Sequence, residues 1–153
     1  MMKNTKDLIR AIDFAMTYHE GQVDKGGAPY VLHPIRVMIA AHQSNPGLPI
    51  EGLIAAVLHD VLEDTEATFG DIEVLFGEEV ANTIALLTKI PLEPNDLYYD
   101  RLKEYDTAAW IKLADLQDNL DVTRLTSFTE KDAARVARYK VREQELLEHL
   151  GKA

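Results

Sequence analysis

The segment Leu58-His59-Asp60-Val61-Leu62-Glu63-Asp64 sets one imidazole and three carboxylates within seven residues. On a helix, a turn of about 100° per residue stacks His59 under Glu63 and Asp60 under Asp64, so all four share one arc. The run from Ile50 to Leu62 is apolar on almost every side and predicts a central, buried helix. Three carboxylates at its C-terminal end face the unfavourable end of the macrodipole. Burying them is costly unless a cation is present. Two readings stay open at this level: a cation site, or a frayed, exposed helix end with solvated acids.

Other segments offer matching chemistry. His33 stands beside Pro34 at a predicted helix start, and Asp115 interrupts the apolar stripe Ile111-Lys112-Leu113-Ala114. Asn119 lies one helical turn beyond Asp115 and can face the same cavity. A lone His at a helix start is equally a structural residue, and Asp115 could face solvent or pair with Lys112. Two His and two Asp form a mixed nitrogen and oxygen set suited to Mn, Fe or Zn. Spacing alone does not bring these distant segments together. Cysteine is absent, which excludes a thiolate zinc site, a cysteine nucleophile and a disulfide scaffold.

The elements that must position these groups read as helices. Leu8, Ile9, Ala11, Ile12, Ala15 and Met16 recur at three- and four-residue spacing, with Thr5 as a candidate cap. Gly21 to Tyr30 reads as a loop, Pro34 suits a first helical turn, and Ser44 to Pro49 is a turn. Thr68 with Asp71 is a capping signal, and a helix follows from Glu78 to about Lys89. Pro91 and Pro94 break the chain, and Asn95 is a candidate cap for a helix through Tyr105. Ala108 to Leu120 and Thr129 to Leu150 complete the set. A two-residue alternation is nowhere convincing, so the expectation is all-α, one domain over residues 1–153.

Sixteen basic against 26 acidic residues leave a net charge of −10, which argues against a nucleic-acid footprint. The same charge repels phosphate at long range, so a phosphate ligand needs a metal and local cations. No apolar run reaches the roughly 18 residues of a membrane span, and the first residues show no apolar signal core. A cytoplasmic protein with no membrane partner is expected; oligomeric state is unreadable.

The chain resembles the HD superfamily of metal-dependent phosphohydrolases. Within it, the chain is similar to the alarmone hydrolases, which remove pyrophosphate from the 3′ position of guanosine 3′,5′-bis(pyrophosphate), ppGpp. The matching segments are His19-Glu20-Gly21-Gln22, Pro29-Tyr30-Val31-Leu32-His33-Pro34, and Ala55 through Thr65. They continue with Phe76 through Ala81, Leu87-Thr88-Lys89 and Ile111 through Asp115, in order, from about Ala11 to Tyr139. The resemblance implies an HD helical bundle and one divalent metal, usually manganese, held by His33, His59, Asp60 and Asp115. It also implies that Glu63 and Asp64 act on the attacking water. Lys25, Asn119, Arg135 and Tyr139 match substrate-contacting positions, and the implied partner is a small-molecule nucleotide. Lys25 could equally be a solvated turn residue, and Arg135 with Tyr139 a solvated helix face.

Two positions depart from the alarmone pattern. Asp24 stands where the family carries the Arg that packs on guanine, so the cation–π contact is lost and the local charge reversed. Asp118 replaces a His or aromatic residue, and Asp121 with Arg124 resembles another bacterial HD branch. The leading expectation is therefore a ppGpp 3′-pyrophosphohydrolase-like enzyme. The alternatives are an HD hydrolase of another nucleotide or phosphoester, and a non-catalytic nucleotide sensor.

Overall fold

Reciprocal caps start several of the helices in the computed structural model, which describes residues 2–152. Helix α1 (Thr5–Tyr18) starts from Asn4, one residue before the expected cap Thr5. The Asn4 side chain accepts the amides of Lys6 and Asp7, and the Asp7 carboxylate accepts the Asn4 amide. Helix α2 (Leu32–Ser44) begins at the His33-Pro34 pair. Thr68 with Asp71 caps α5 (Phe69–Phe76), and Thr129 with Asp132 caps α9 (Glu130–His149), as their spacing predicts. Gly77, at φ +93°, separates α5 from α6 (Glu78–Leu87) in a conformation open to glycine. Asn95 is not a cap. The chain enters α7 (Asn95–Lys103) through Pro94, whose carbonyl already accepts the Tyr98 amide at 3.1 Å. Helix α8 (Asp106–Leu120) and a 3₁₀ turn (Val122–Arg124) precede α9.

The expected continuous helix from Ile50 to Leu62 is instead two pieces. Helix α3 (Ile50–Val57) stops, Leu58-His59-Asp60 form a tighter turn, and α4 (Val61–Asp64) is a single short helix. The cause is local. The Ala56 carbonyl accepts the His59 imidazole Nδ1–H at 2.7 Å and the His59 amide at 3.4 Å. A continuing α-helix would give that carbonyl to the Asp60 amide. The Val61 amide then bonds the Leu58 carbonyl three residues back, at 3.1 Å.

Among the described residues the regular structure is helical, apart from one antiparallel bridge between Val23 and Pro29 in the loop before α2. Helix α3 is the hub: it packs on α1, α2, α6 and α8, and Ile54 through Leu58 are wholly buried. Helix α8 lies between α2 and α9. Arg101 of α7 ties down the segment after α6, donating to the carbonyls of Leu86 (2.9 Å) and Thr88 (2.7 Å) and to Glu93 (2.8 Å).

Truncating Ile54 leaves a cavity at this hub. Ile54→Ala is expected to cost about 2–5 kcal/mol of unfolding free energy. Urea denaturation checks this as a lower midpoint with an unchanged slope.

Candidate metal centre

Helix α2 delivers His33, the turn between α3 and α4 delivers His59 and Asp60, and α8 delivers Asp115. The four side chains converge. His33 Nε2 lies 3.0 Å from Asp115 Oδ1 and 3.5 Å from Asp60 Oδ2. His59 Nε2 lies 3.1 Å from Asp60 Oδ2 and 3.4 Å from Asp115 Oδ1. His33, His59 and Asp115 are buried, and the Asp60 side chain is only 14% exposed. Both imidazoles have Nδ1 engaged elsewhere, His33 on Asp118 Oδ2 at 2.7 Å and His59 on the Ala56 carbonyl. Nε2 of each therefore points inward, and that of His59 is buried without a hydrogen-bond partner of proper geometry.

This arrangement fits a divalent cation. Two nitrogens and two carboxylate oxygens face one point, as a mixed N/O site requires, and an orphaned buried imidazole nitrogen otherwise has no compensation. Without a cation the cluster relies on protons. Burial opposes charge on His59, but the negative charges of neighbouring Asp60 and Asp115 outweigh it and hold its pKa well above 6.5. Burial likewise opposes ionisation of Asp115, while Lys112 and the two imidazoles pull its pKa well below the usual range. Lys112 donates to Asp115 Oδ2 at 2.8 Å and Asn119 to Asp115 Oδ1 at 3.0 Å, so the Lys112 pairing and the shared face of Asn119 are both present.

Glu63 and Asp64 are exposed at the rim, and their carboxylates lie within 4.8 Å of that of Asp60. Partial burial, then the charges of Asp60 and Glu63, raise the Asp64 pKa. The Tyr30 hydroxyl donates to Asp60 Oδ2 at 2.5 Å, and burial with that carboxylate pushes its pKa up. The cluster floors a cavity of about 360 Å³ that also takes in Lys89, Lys112, Asn119 and Tyr139. Tyr30, His33 and Asn119 also line a second cavity of about 250 Å³ with Lys25, Arg36, Arg124 and Arg135. Arg135 and Tyr139, one turn apart on α9, thus serve different cavities. Lys25 and Arg135 both face Asp132, at 3.6 and 3.2 Å.

Asp24 serves its own loop. Its Oδ1 accepts the amides of Gly26 and Ala28, each at 2.9 Å. That loop presses against the 3₁₀ turn, where a Cβ on Gly26 would stand 2.3 Å from the Arg124 carbonyl oxygen. Tyr30 and Arg36 are site residues that were not singled out by spacing, and Asp118, noted as a departure from the alarmone pattern, was not given its role beside His33. Their signals were weak: Arg36 is one turn after His33, and Asp118 one turn after Asp115, on faces already assigned.

A family model described as "HD domain" matches residues 11–96, more than half of the chain. The chain belongs to the HD family. The matched HD stretch holds His33, His59, Asp60, Glu63 and Asp64 and ends before Asp115. A guanosine-3′,5′-bis(diphosphate) 3′-pyrophosphohydrolase of Aquifex aeolicus is 41% identical over 88 residues, 58% of this chain and 12% of the relative. The bifunctional (p)ppGpp synthase/hydrolase SpoT of Escherichia coli K12 is 44% identical over 85 residues, 56% of this chain and 12% of its own length. The chain thus spans about an eighth or less of these curated HD relatives. Among solved structures, a metazoan ortholog of SpoT, described as hydrolysing ppGpp, superposes with a TM-score of 0.72 at 26% identity, over 100% of both chains. The lmo0812 structure from Listeria monocytogenes EGD-e gives 0.62 at 26% identity, over 80% of this chain and 84% of the other. No described helix is long and apolar enough to cross a membrane.

The raised His59 pKa sets the sign of a pH effect. The metal-free fold binds this proton more tightly than the unfolded chain, so its stabilising contribution is complete below the ordinary 6.5 and is lost as pH rises through the raised value. Deprotonation also frees Nε2 for a cation. Mn²⁺ at a hundredfold excess over its Kd is expected to add about 2.7 kcal/mol, a rise of roughly 5–10 °C in Tm for a chain of this size. The rise is expected to be larger near about pH 8 than near about pH 6, and to vanish in His59→Ala, as read by differential scanning calorimetry.

Proposed function

We propose that residues 1–153 act as one HD domain that hydrolyses a nucleotide (pyro)phosphate ester with a divalent metal, manganese in the first instance. The preferred substrate class is that of the guanosine 3′,5′-bis(diphosphate) 3′-pyrophosphohydrolases. The observation that carries this reading is the convergence of His33 Nε2, His59 Nε2, Asp60 Oδ2 and Asp115 Oδ1 beside the Glu63-Asp64 pair. In this reading the four are the metal ligands. A bound divalent ion would supply positive charge that acidifies water and draws electron density from a phosphoryl oxygen.

The chain's own residues do the rest. Glu63, at the rim next to Asp60, orients the attacking water and accepts its proton. Asp64, whose pKa is raised, is suited to store that proton. The water oxygen bonds to phosphorus as the bond from phosphorus to the ribose 3′ oxygen breaks, and the leaving oxygen takes up a proton. Tyr30 holds Asp60 in place through its hydroxyl. Lys89 in the metal cavity, and Lys25 and Arg135 in the adjoining one, supply the local cations that a phosphate needs against a net charge of −10. Asn119 borders both cavities and Tyr139 closes the metal cavity from α9, so both are assigned to substrate contact.

A second reading keeps the chemistry and changes the substrate. It is favoured by Asp24, whose carboxylate is engaged with its own loop and offers no guanidinium to a guanine face. In that case another nucleotide or phosphoester occupies the same cavities.

A Mn²⁺-supplemented screen of alarmones, nucleoside mono- to triphosphates and reduced dinucleotide phosphates tests both readings. Release of pyrophosphate from ppGpp supports the first, and turnover of another compound supports the second. Asp60→Ala is expected to abolish turnover, and Glu63→Gln to lower kcat by about 10²–10⁴-fold. Metal-loaded protein that cleaves nothing across the panel sinks the enzyme reading, and tight nucleotide binding without turnover then indicates a sensor.

A further inference from the structure

We propose that Asp118 is a positioning residue for the metal centre, fixing the His33 ring so that Nδ1 carries the proton and Nε2 is offered to the ion. This rests on the metal-centre reading above. The Asp118 carboxylate, only 9% exposed, lies 2.7 Å from His33 Nδ1. An ionised carboxylate only accepts, so His33 Nδ1 must donate, and the lone pair of the neutral ring is left on Nε2. That is the nitrogen 3.0 Å from Asp115 and 3.5 Å from Asp60.

The carboxylate is itself held from two further sides. Arg36, one turn after His33 on α2, makes a two-pronged contact, Nε to Oδ1 at 2.8 Å and Nη2 to Oδ2 at 3.1 Å. Arg124 from the 3₁₀ turn donates to Oδ2 at 3.2 Å and to the Asp118 carbonyl at 2.8 Å. Asp121 Oδ2 accepts from Arg124 at 2.9 Å, fixing that guanidinium in turn. Asp118 therefore stands where α2, α8 and the 3₁₀ turn meet, with its orientation set from each. The two imidazoles are positioned by different means. A main-chain carbonyl orients His59, and a side-chain carboxylate orients His33. Such carboxylate–imidazole pairs orient the ring and make its other nitrogen a better donor to a metal. The plain alternative is that Asp118 only neutralises Arg36 and Arg124.

Mn²⁺ titration by calorimetry on the metal-free full chain separates these, with no reference to turnover. Asp118→Ala is expected to weaken Mn²⁺ binding by about 10–100-fold. The double variant Arg36→Gln/Arg124→Gln keeps the carboxylate within reach of His33 while loosening its hold, and is expected to lose less affinity than Asp118→Ala. Asp118→Asn keeps an acceptor oxygen and is expected to recover part of the loss; it also carries the test if the alanine variant does not fold. Imidazole ¹⁵N NMR of the metal-free protein in alkaline solution supplies a second readout. His33 is expected as the Nδ1–H tautomer in the parent, with Nε2–H gained in Asp118→Ala. Unchanged Mn²⁺ affinity in Asp118→Ala, or an equal loss in the double arginine variant, overturns the role of Asp118 while leaving the metal reading intact. A parent protein that binds no Mn²⁺ overturns both.

Discussion

Two imidazole nitrogens and two carboxylate oxygens approach to between 3.0 and 3.5 Å on the buried floor of a polar cavity, and the rest of the molecule is arranged around that contact. Charges taken out of water in this way are expensive unless paired. Here they are paired internally and supported from outside: Lys112 and Asn119 on Asp115, Tyr30 on Asp60, Asp118 on His33. Lys112 and Asn119 hold Asp115 from within α8, while the Tyr30–Asp60 and His33–Asp118 contacts tie the loop before α2 to the α3–α4 turn and α2 to α8. The apolar hub of α3 supplies the dry surroundings that make those contacts strong.

The break after Val57 is part of the same constraint. A straight helix from Ile50 on through Asp64 would carry His59, Asp60, Glu63 and Asp64 out along one arc. By giving the Ala56 carbonyl to its own imidazole, His59 stops the helix and turns Nε2 toward Asp60 and Asp115. The same turn moves Glu63 and Asp64 to the rim, where they remain in reach of solvent while close to Asp60. The buried His59 sits in the turn of irregular backbone, and the exposed Glu63 and Asp64 sit on the short helix that follows it.

Much of the fold could be read from local pattern. The Thr68 and Thr129 caps, the breaks at Pro91 and Pro94, and the buried character of the Ile54 region follow from residue types whose effects are short-ranged. The helix break at Leu58–Asp60 could not be read, because apolar periodicity continues through it and a side-chain bond to the main chain decides it. The cap at Asn4 instead of Thr5, and the entry through Pro94 instead of Asn95, are competitions between adjacent residues that composition leaves balanced. The candidate metal residues were visible as types, but their meeting was not. It depends on α2, the α3–α4 turn and α8 converging, and on nothing within any one segment. Arg135 and Tyr139 are one turn apart on α9 as their spacing predicts, yet they line separate cavities that share Tyr30, His33 and Asn119.

The two departures from the alarmone pattern carry different weight once their partners are known. Asp24 accepts two amides of its own loop, and Gly26 in that loop allows contact with the Arg124 carbonyl. It therefore shapes the wall of the second cavity without reaching into the metal centre. Asp118 instead faces the centre, and its pKa is held at about 2, since the His33 and Arg36 contacts overcome the burial that opposes its charge. Asp24, Asp118 and Asp121 line the second cavity with four cations; Asp118 and Asp121 are engaged with Arg36 and Arg124, and Asp132, outside the lining, faces Lys25 and Arg135. Lys25 and Arg135 share that one carboxylate, so they are the cations of this cavity with charge left for a phosphate. The two departures therefore act in different places: Asp24 in the wall of the second cavity, and Asp118 on the His33 ring that enters the candidate metal centre.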